Sequence, residues 1–164
     1  MTTPAALHFN DVDLDEISKM TGRVAVFVSE SGKLDQTARR VNRLTKGALE
    51  RVADSASFND MSAGDTRELA YPTGMMAEWL NVVKLDRKPK VEHARKAGAA
   101  LGKAKGKDAL HVLAGNLKQV GEVALGALLR AYSFEDHKTS EREDTKDVTF
   151  YVSAAKALAA DAKT

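Results

Sequence analysis

Between Arg23 and Gly32 the chain reads RVAVFVSESG, an unbroken run of Val, Ala and Phe closed by Ser, Glu and Gly. A run without polar alternation is what a strand covered on both faces requires, so this segment is expected at the centre of a sheet. From Leu34 to Val52 the spacing changes. Ala38, Val41, Leu44, Ala48, Leu49 and Val52 recur at helical intervals, with Arg39, Arg40, Arg43 and Lys46 elsewhere on the wheel. Gly47 is expected to split this stretch into two helical pieces. The runs TRELAYP (66–72) and EWLNVVKL (78–85) read as strands with only TGMMA between them. So short a connection implies an antiparallel pair, because a parallel crossover needs about a dozen residues or more.

Further along, KVEHARKAGAALGKAKG (90–106) places Val91, Ala94, Ala97, Gly98 and Leu101 on one narrow face of mostly small residues, which lets a helix lie close to a sheet. DALHVLAG (108–115) reads as a second buried strand. It runs into NLKQVGEVALGALLRAY (116–132), where Asn116 is the expected N-cap and Leu117, Val120, Ala124, Ala127, Leu128 and Ala131 form the apolar stripe. After the aromatic pair Tyr132 and Phe134 the chain becomes a dense mixture of charges. It then enters a strand-like VTFYV (148–152) and an Ala-rich, helix-like SAAKALAADAKT (153–164) with no capping signal at its end. Strand, helix, strand pair, helix, strand, helix, strand, helix is the order of an α/β three-layer sandwich, with helices on both faces of a mixed, mainly parallel sheet.

At 164 residues the chain has the length of one ordinary domain. No segment approaches the roughly 18 consecutive apolar residues of a membrane helix, so no membrane association is expected. The first residues, MTTPAALHFNDVDLDE, turn acidic at once and do not read as a secretory leader. The lack of cysteine excludes disulfides, thiolate metal sites and a cysteine nucleophile, and fits a cytoplasmic protein.

The net charge of +2 is too small to name a partner, but its distribution is uneven. Residues 84–107 carry nine Lys or Arg against Asp86 and Glu92, a local balance of +7, whereas residues 135–147 balance at −3. A solvated helix face explains such a patch more simply than nucleic acid does, since no aromatic residue is interleaved for base stacking. If the patch binds nucleic acid, Lys84, Arg87, Lys88, Lys90, Arg95 and Lys96 are the expected phosphate contacts.

Candidate chemistry is sparse. In open α/β sheets ligands sit beyond the carboxyl ends of the strands, which singles out SESGKL (29–34) and LAGNL (113–117). Each contains one glycine, Gly32 and Gly115, near a helix start where backbone N–H groups could hold an anion such as a nucleotide. Neither has the several glycines of a dinucleotide fingerprint or a P-loop, so both are read first as strand-to-helix turns. His8, His93, His111 and His137 lie far apart and form no metal-ligand spacing. His111, inside a strand, is expected to be a satisfied core histidine. Asp11, Asp13, Asp15 and Glu16 lack the glycine and terminal glutamate of a calcium loop and are read as a solvated linker. Ser29, Ser31 and Ser133 lack a nucleophile elbow. Met75, Met76 and Trp79 are expected core or interface apolars.

Several of these pieces together resemble the N-terminal domain of the leucyl aminopeptidases, the cytosolic metalloexopeptidase family. They are the strand VAVFV, the phrase KGALERV followed by SFNDMSAGDTRELAYP, the strand WLNVVKL before a basic helix, and GALLRAYSFEDHKT. The likeness spans about residues 20–152 and is most specific at Ala131-Tyr132-x-Phe134 followed by His137-Lys138-Thr139. The chain departs from the family after the strand at 79–85, where Lys84-Leu85-Asp86-Arg87 stands in place of a glycine-rich turn.

The resemblance implies a macro-domain-like fold over residues 1–152, with 153–164 beginning a truncated interdomain linker helix. It implies a non-catalytic role in subunit architecture and assembly. The catalytic domain it would precede holds two divalent metals, zinc or manganese, and releases N-terminal residues, leucine preferentially, from peptides. That domain is not expected within this chain, so no catalytic, metal or cofactor residue transfers to any position here. Implied partners are the catalytic domain of the same polypeptide and, in the full-length parent, a homo-hexamer. The isolated chain is expected to be monomeric, with DNA as the alternative partner and the cytoplasm as its compartment.

Overall fold

The computed structural model describes residues 7–105, 109–136 and 148–152. One six-stranded sheet organises them, in the order β1-β6-β5-β2-β4-β3. Its strands are β1 (Leu7–Asp11), β2 (Arg23–Val28), β3 (Thr66–Ala70), β4 (Trp79–Lys84), β5 (Leu110–Gly115) and β6 (Val148–Val152). Every pairing is parallel except β3 with β4, so the sheet is mixed and mainly parallel, as the short connection between residues 72 and 78 requires. β2 lies between β4 and β5, and all six of its residues are buried. That position accounts for the absence of polar alternation in RVAVFV.

Alternate strand residues feed two cores. On one face Ala25, Phe27, Val83, Val112, Phe150 and their neighbours meet α4 (Val91–Lys105) and α5 (Val120–Asp136). On the other, Val24, Val26, Val28, Leu80 and Val82 meet α1 (Gln36–Leu44), α2 (Ala48–Ala53), α3 (Ala56–Asn59) and a 3₁₀ helix at Leu14–Lys19. Burying each Val, Leu or Phe side chain contributes about 1.5–3 kcal/mol, so neither layer is dispensable. α1 and α2 are divided at Gly47, which adopts φ 87°, a left-handed conformation that a residue with a Cβ adopts only with strain.

Four sequence expectations are corrected. The acidic N-terminal stretch is no linker. Leu7 and Phe9 pack on the first core as the edge strand β1, Asp13 caps the 3₁₀ helix by accepting from the Asp15 N–H (3.1 Å), and Ile17 is fully buried. α5 begins at Val120 rather than at Leu117, so Asn116 is too far upstream to be its N-cap. The Leu117 N–H instead closes a turn onto the Ala114 carbonyl (3.0 Å) and Gln119 takes φ 61°, while the Leu117 side chain still reaches the core. Val91, the first residue of α4, is exposed instead of facing the core. Gly98 faces α5 rather than the sheet, its backbone lying against that of Val123.

The pair Tyr132 and Phe134 falls within the last turns of α5. His137-Lys138-Thr139, most of the acidic loop and the helix expected at 153–164 lie outside the described residues.

Candidate functional site

The loops that leave the carboxyl ends of β2, β4 and β5 converge, and hydrogen bonds between them build the walls of a cleft. After β2 the chain closes a tight turn, with the Gly32 N–H donating to the Ser29 carbonyl (2.8 Å) and the Lys33 N–H to Ser29 Oγ (2.9 Å). Beyond β4, the Leu85 N–H donates to the Val28 carbonyl (2.9 Å), and Asp86 Oδ1 accepts from the Glu30 N–H (2.8 Å), tying that loop to the first. The Lys118 N–H donates to the Arg87 carbonyl (2.8 Å) and ties in the third.

At the start of α1, Asp35 Oδ1 accepts from the Ala38 N–H (2.8 Å) and from Thr37 Oγ1 (2.9 Å). Its own carboxylate therefore occupies the helix N-terminus that an anion would otherwise use.

The resulting cleft encloses about 380 Å³ and is lined by Phe27, Leu34, Leu85 and Leu117 below and by Lys33, Asp35, Asp86 and Arg87 at its rim. A second hollow of about 290 Å³ adjoins it, sharing Asp35 and Arg87 and bounded by Gly115 and Arg39. The Asp86 carboxylate beside Glu30 raises the Glu30 carboxyl above its ordinary range, chiefly through their side-chain hydrogen bond. Sequence reasoning pointed to these loops through Gly32 and Gly115 and missed the charged groups that dominate them. Asp35 was legible as an N-cap three residues ahead of Ala38 in a helical pattern.

The structure separates the six basic candidates. Arg87, Lys88 and Lys90 are exposed on the loop before α4, and Arg95 and Lys96 on its first turns. Arg95 is paired with Glu122 (2.6 Å) and Lys96 with Asp65 (2.9 Å), which holds the Asp65 carboxyl below its usual range, first through that bond and then through the Ser62 N–H. Lys84 is no phosphate contact. It is 6 % exposed, and its Nζ donates to the carbonyls of Phe58 (2.9 Å) and Met61 (2.9 Å) with the Phe58 ring 4.7 Å away. The physical reason is strand alternation, since Leu80, Val82 and Lys84 all point to the second core.

A second internal charge, Arg23 at the start of β2, donates to Asn81 Oδ1 (2.7 Å) and Glu68 Oε1 (3.2 Å) and stacks on Trp79. His111 is half-buried with Nδ1 3.1 Å from the Tyr151 hydroxyl, and burial pushes its imidazole down and the phenol up. Ser29 and Ser31 bond to each other (2.9 Å) within the turn. Among the described residues no three of His, Asp and Glu converge as metal ligands, and no helix is long and apolar enough to cross a membrane.

With this geometry in place, comparison with known proteins is specific. Residues 24–141 match the model of the cytosol aminopeptidase family, N-terminal domain. A probable cytosol aminopeptidase of Cereibacter sphaeroides is 43% identical over 99% of this chain, and one of Dinoroseobacter shibae is 44% identical over 91%. The chain spans about a third of the length of these curated relatives, 33% and 30% respectively. Among solved structures, a mutant tomato leucine aminopeptidase superposes with TM-score 0.68 at 12% identity, covering 99% of this chain and 36% of that one. A Trypanosoma brucei macrodomain in complex with ADP-ribose superposes with TM-score 0.62 at 10% identity, covering 96% of this chain and 67% of that one. At such identities the two structural likenesses speak to the fold alone, which is macrodomain-like.

Proposed function

Because the chain belongs to the cytosol aminopeptidase family, as its N-terminal domain, we propose that it serves a longer aminopeptidase as a non-catalytic scaffold. In this reading residues 1–152 form the domain and 153–164 begin the connection to a catalytic domain in the same cytoplasmic polypeptide. That second domain holds two divalent metals, zinc or manganese, and releases N-terminal residues, leucine preferentially, while the present domain supports subunit architecture and a hexameric assembly. The observation that carries the reading is the pairing of near-complete coverage of this chain with coverage of only about a third of its relatives.

The chemistry of the described residues agrees with a supporting role. Activating water for amide attack near neutral pH takes a metal or a nucleophile with its base and oxyanion donors. Ser29 and Ser31 are instead used in a turn, and His111 in a strand contact with Tyr151. The purified 164-residue chain, monomeric by light scattering, is expected to leave leucine p-nitroanilide intact with manganese or zinc present. The full-length polypeptide should cleave it and lose assembly mass when residues 1–152 are deleted. Chelator-sensitive turnover by the chain alone, or a deletion that keeps both mass and rate, would overturn the scaffold role.

A second reading is favoured by the cluster of Arg87, Lys88 and Lys90, exposed on one loop beside Arg95 and Lys96. It is a nucleic-acid-binding surface dominated by phosphate contacts. Gel shifts with duplex DNA at two salt concentrations are expected to show binding that weakens steeply with salt and is reduced by Lys88→Ala with Lys90→Ala. No shift at low salt rejects this reading.

A further inference from the structure

The cleft at the carboxyl ends of β2, β4 and β5 holds charges of both signs. Asp35 and Asp86 line it together with Lys33 and Arg87. Yet neither cation is ion-paired among the described residues, whose pairs lie elsewhere in the molecule. Asp35 spends Oδ1 on capping α1, and Oδ2 accepts from no donor among the described residues. Beneath these groups the floor is aliphatic and aromatic, from Phe27, Leu34, Leu85 and Leu117. A concave apolar site of about 380 Å³ with a few convergent polar groups has the form of a small-molecule pocket.

The charges select the ligand class. A pyrophosphate would meet the carboxylates of Asp35 and Asp86, with Glu30 close by, and would find the α1 N-terminus already capped. A cation alone would leave Lys33 and Arg87 unmatched, and an apolar molecule would leave all four. A ligand carrying an ammonium, a carboxylate and a short apolar group satisfies each part at once. We propose that this cleft binds a free α-amino acid with an aliphatic side chain. The ammonium lies toward Asp35 and Asp86, the carboxylate toward Lys33 and Arg87, and the side chain on the Phe27, Leu85 and Leu117 floor.

The test is a titration of the 164-residue chain followed by backbone amide NMR. L-Leucine is expected to give saturable shifts at Phe27, Leu34, Leu85 and Leu117 at millimolar concentration. Leucinamide, which lacks the carboxylate, and N-acetyl-leucine, which lacks the ammonium, should each bind about tenfold more weakly, the size of one charge-assisted interaction. Asp86→Asn keeps an oxygen to accept from the Glu30 N–H, so the loop is preserved while the charge is lost. It and Arg87→Ala, a change at an exposed side chain, should each weaken leucine about tenfold. Lys90→Ala, outside the lining, should not. The proposal is overturned if leucine causes no saturable shift at those amides, if both blocked analogues bind as well as leucine, or if ADP-ribose displaces leucine from the cleft.

Discussion

Replacing Gly98 by alanine is expected to lower the stability of the chain by about 2–3 kcal/mol, a sign opposite to that of most glycine-to-alanine changes inside helices. Alanine is ordinarily favoured there by about 1 kcal/mol. At Gly98 the added Cβ would overlap the Val123 carbonyl oxygen and lie 2.8 Å from its carbon, so helix would strike backbone, not a side chain that could turn away. Gly126 makes the reciprocal approach to the Arg95 carbonyl from α5. The two helices would have to separate, opening the layer in which Ala97, Leu101, Val123 and Ala124 pack on the sheet. For a chain of this length the loss corresponds to a fall of about 5–10 °C in the thermal midpoint.

Gly121, also in α5, is the internal control. A Cβ there meets nothing, and Gly121→Ala should raise stability by about 0.5–1 kcal/mol. Thermal and urea unfolding of both variants checks the pair. Equal effects of one sign would show that the α4–α5 contact is looser than the close approach at Gly98 implies.

Lys84→Met is expected to cost about 2–4 kcal/mol although it removes a charge and keeps the aliphatic stem. The ammonium satisfies the carbonyls of Phe58 and Met61 at the end of α3 and lies over the Phe58 ring. Hydrogen bonds from a charged donor contribute about 1.5–3 kcal/mol each, and a buried acceptor left without one incurs its desolvation cost. The neighbouring Lys88→Met and Lys90→Met, at exposed positions, should stay within about 0.5 kcal/mol of the parent. Urea midpoints measure all three, and amide exchange at residues 56–61 should quicken only in the first. A Lys84→Met variant as stable as the parent would mean that water replaces the ammonium at those carbonyls.

Lys84 also marks where sequence reasoning reached its limit at the site. Read as one of nine cations in a basic stretch, it belongs with Arg87 and Lys88. Read as the last residue of a strand whose alternate members are Leu80 and Val82, it points inward. The Lys33, Asp35, Asp86 and Arg87 rim was illegible for a related reason. These residues belong to loops that follow different strands, and hydrogen bonds such as Asp86 Oδ1 to the Glu30 N–H bring them together.

Local patterning by itself determined what each stretch of chain can form. Unalternating Val, Ala and Phe needs cover on both faces. The spacing from Ala38 to Val52 with Gly47 inside it gives two helices, and a connection as short as TGMMA permits only an antiparallel return. Those are properties of neighbouring residues and follow from the periods of strand and helix. The tertiary structure alone decided what depends on partners distant in sequence. β1 pairs with β6 across nearly the whole chain, so five residues of weak alternation became a strand because β6 offered an edge. The small face of α4 met the backbone of α5 at Gly98, and Leu117 reached the core from a turn instead of a helix. In each case the free energy comes from non-local burial and hydrogen bonding, which the order of residues along the chain does not encode position by position.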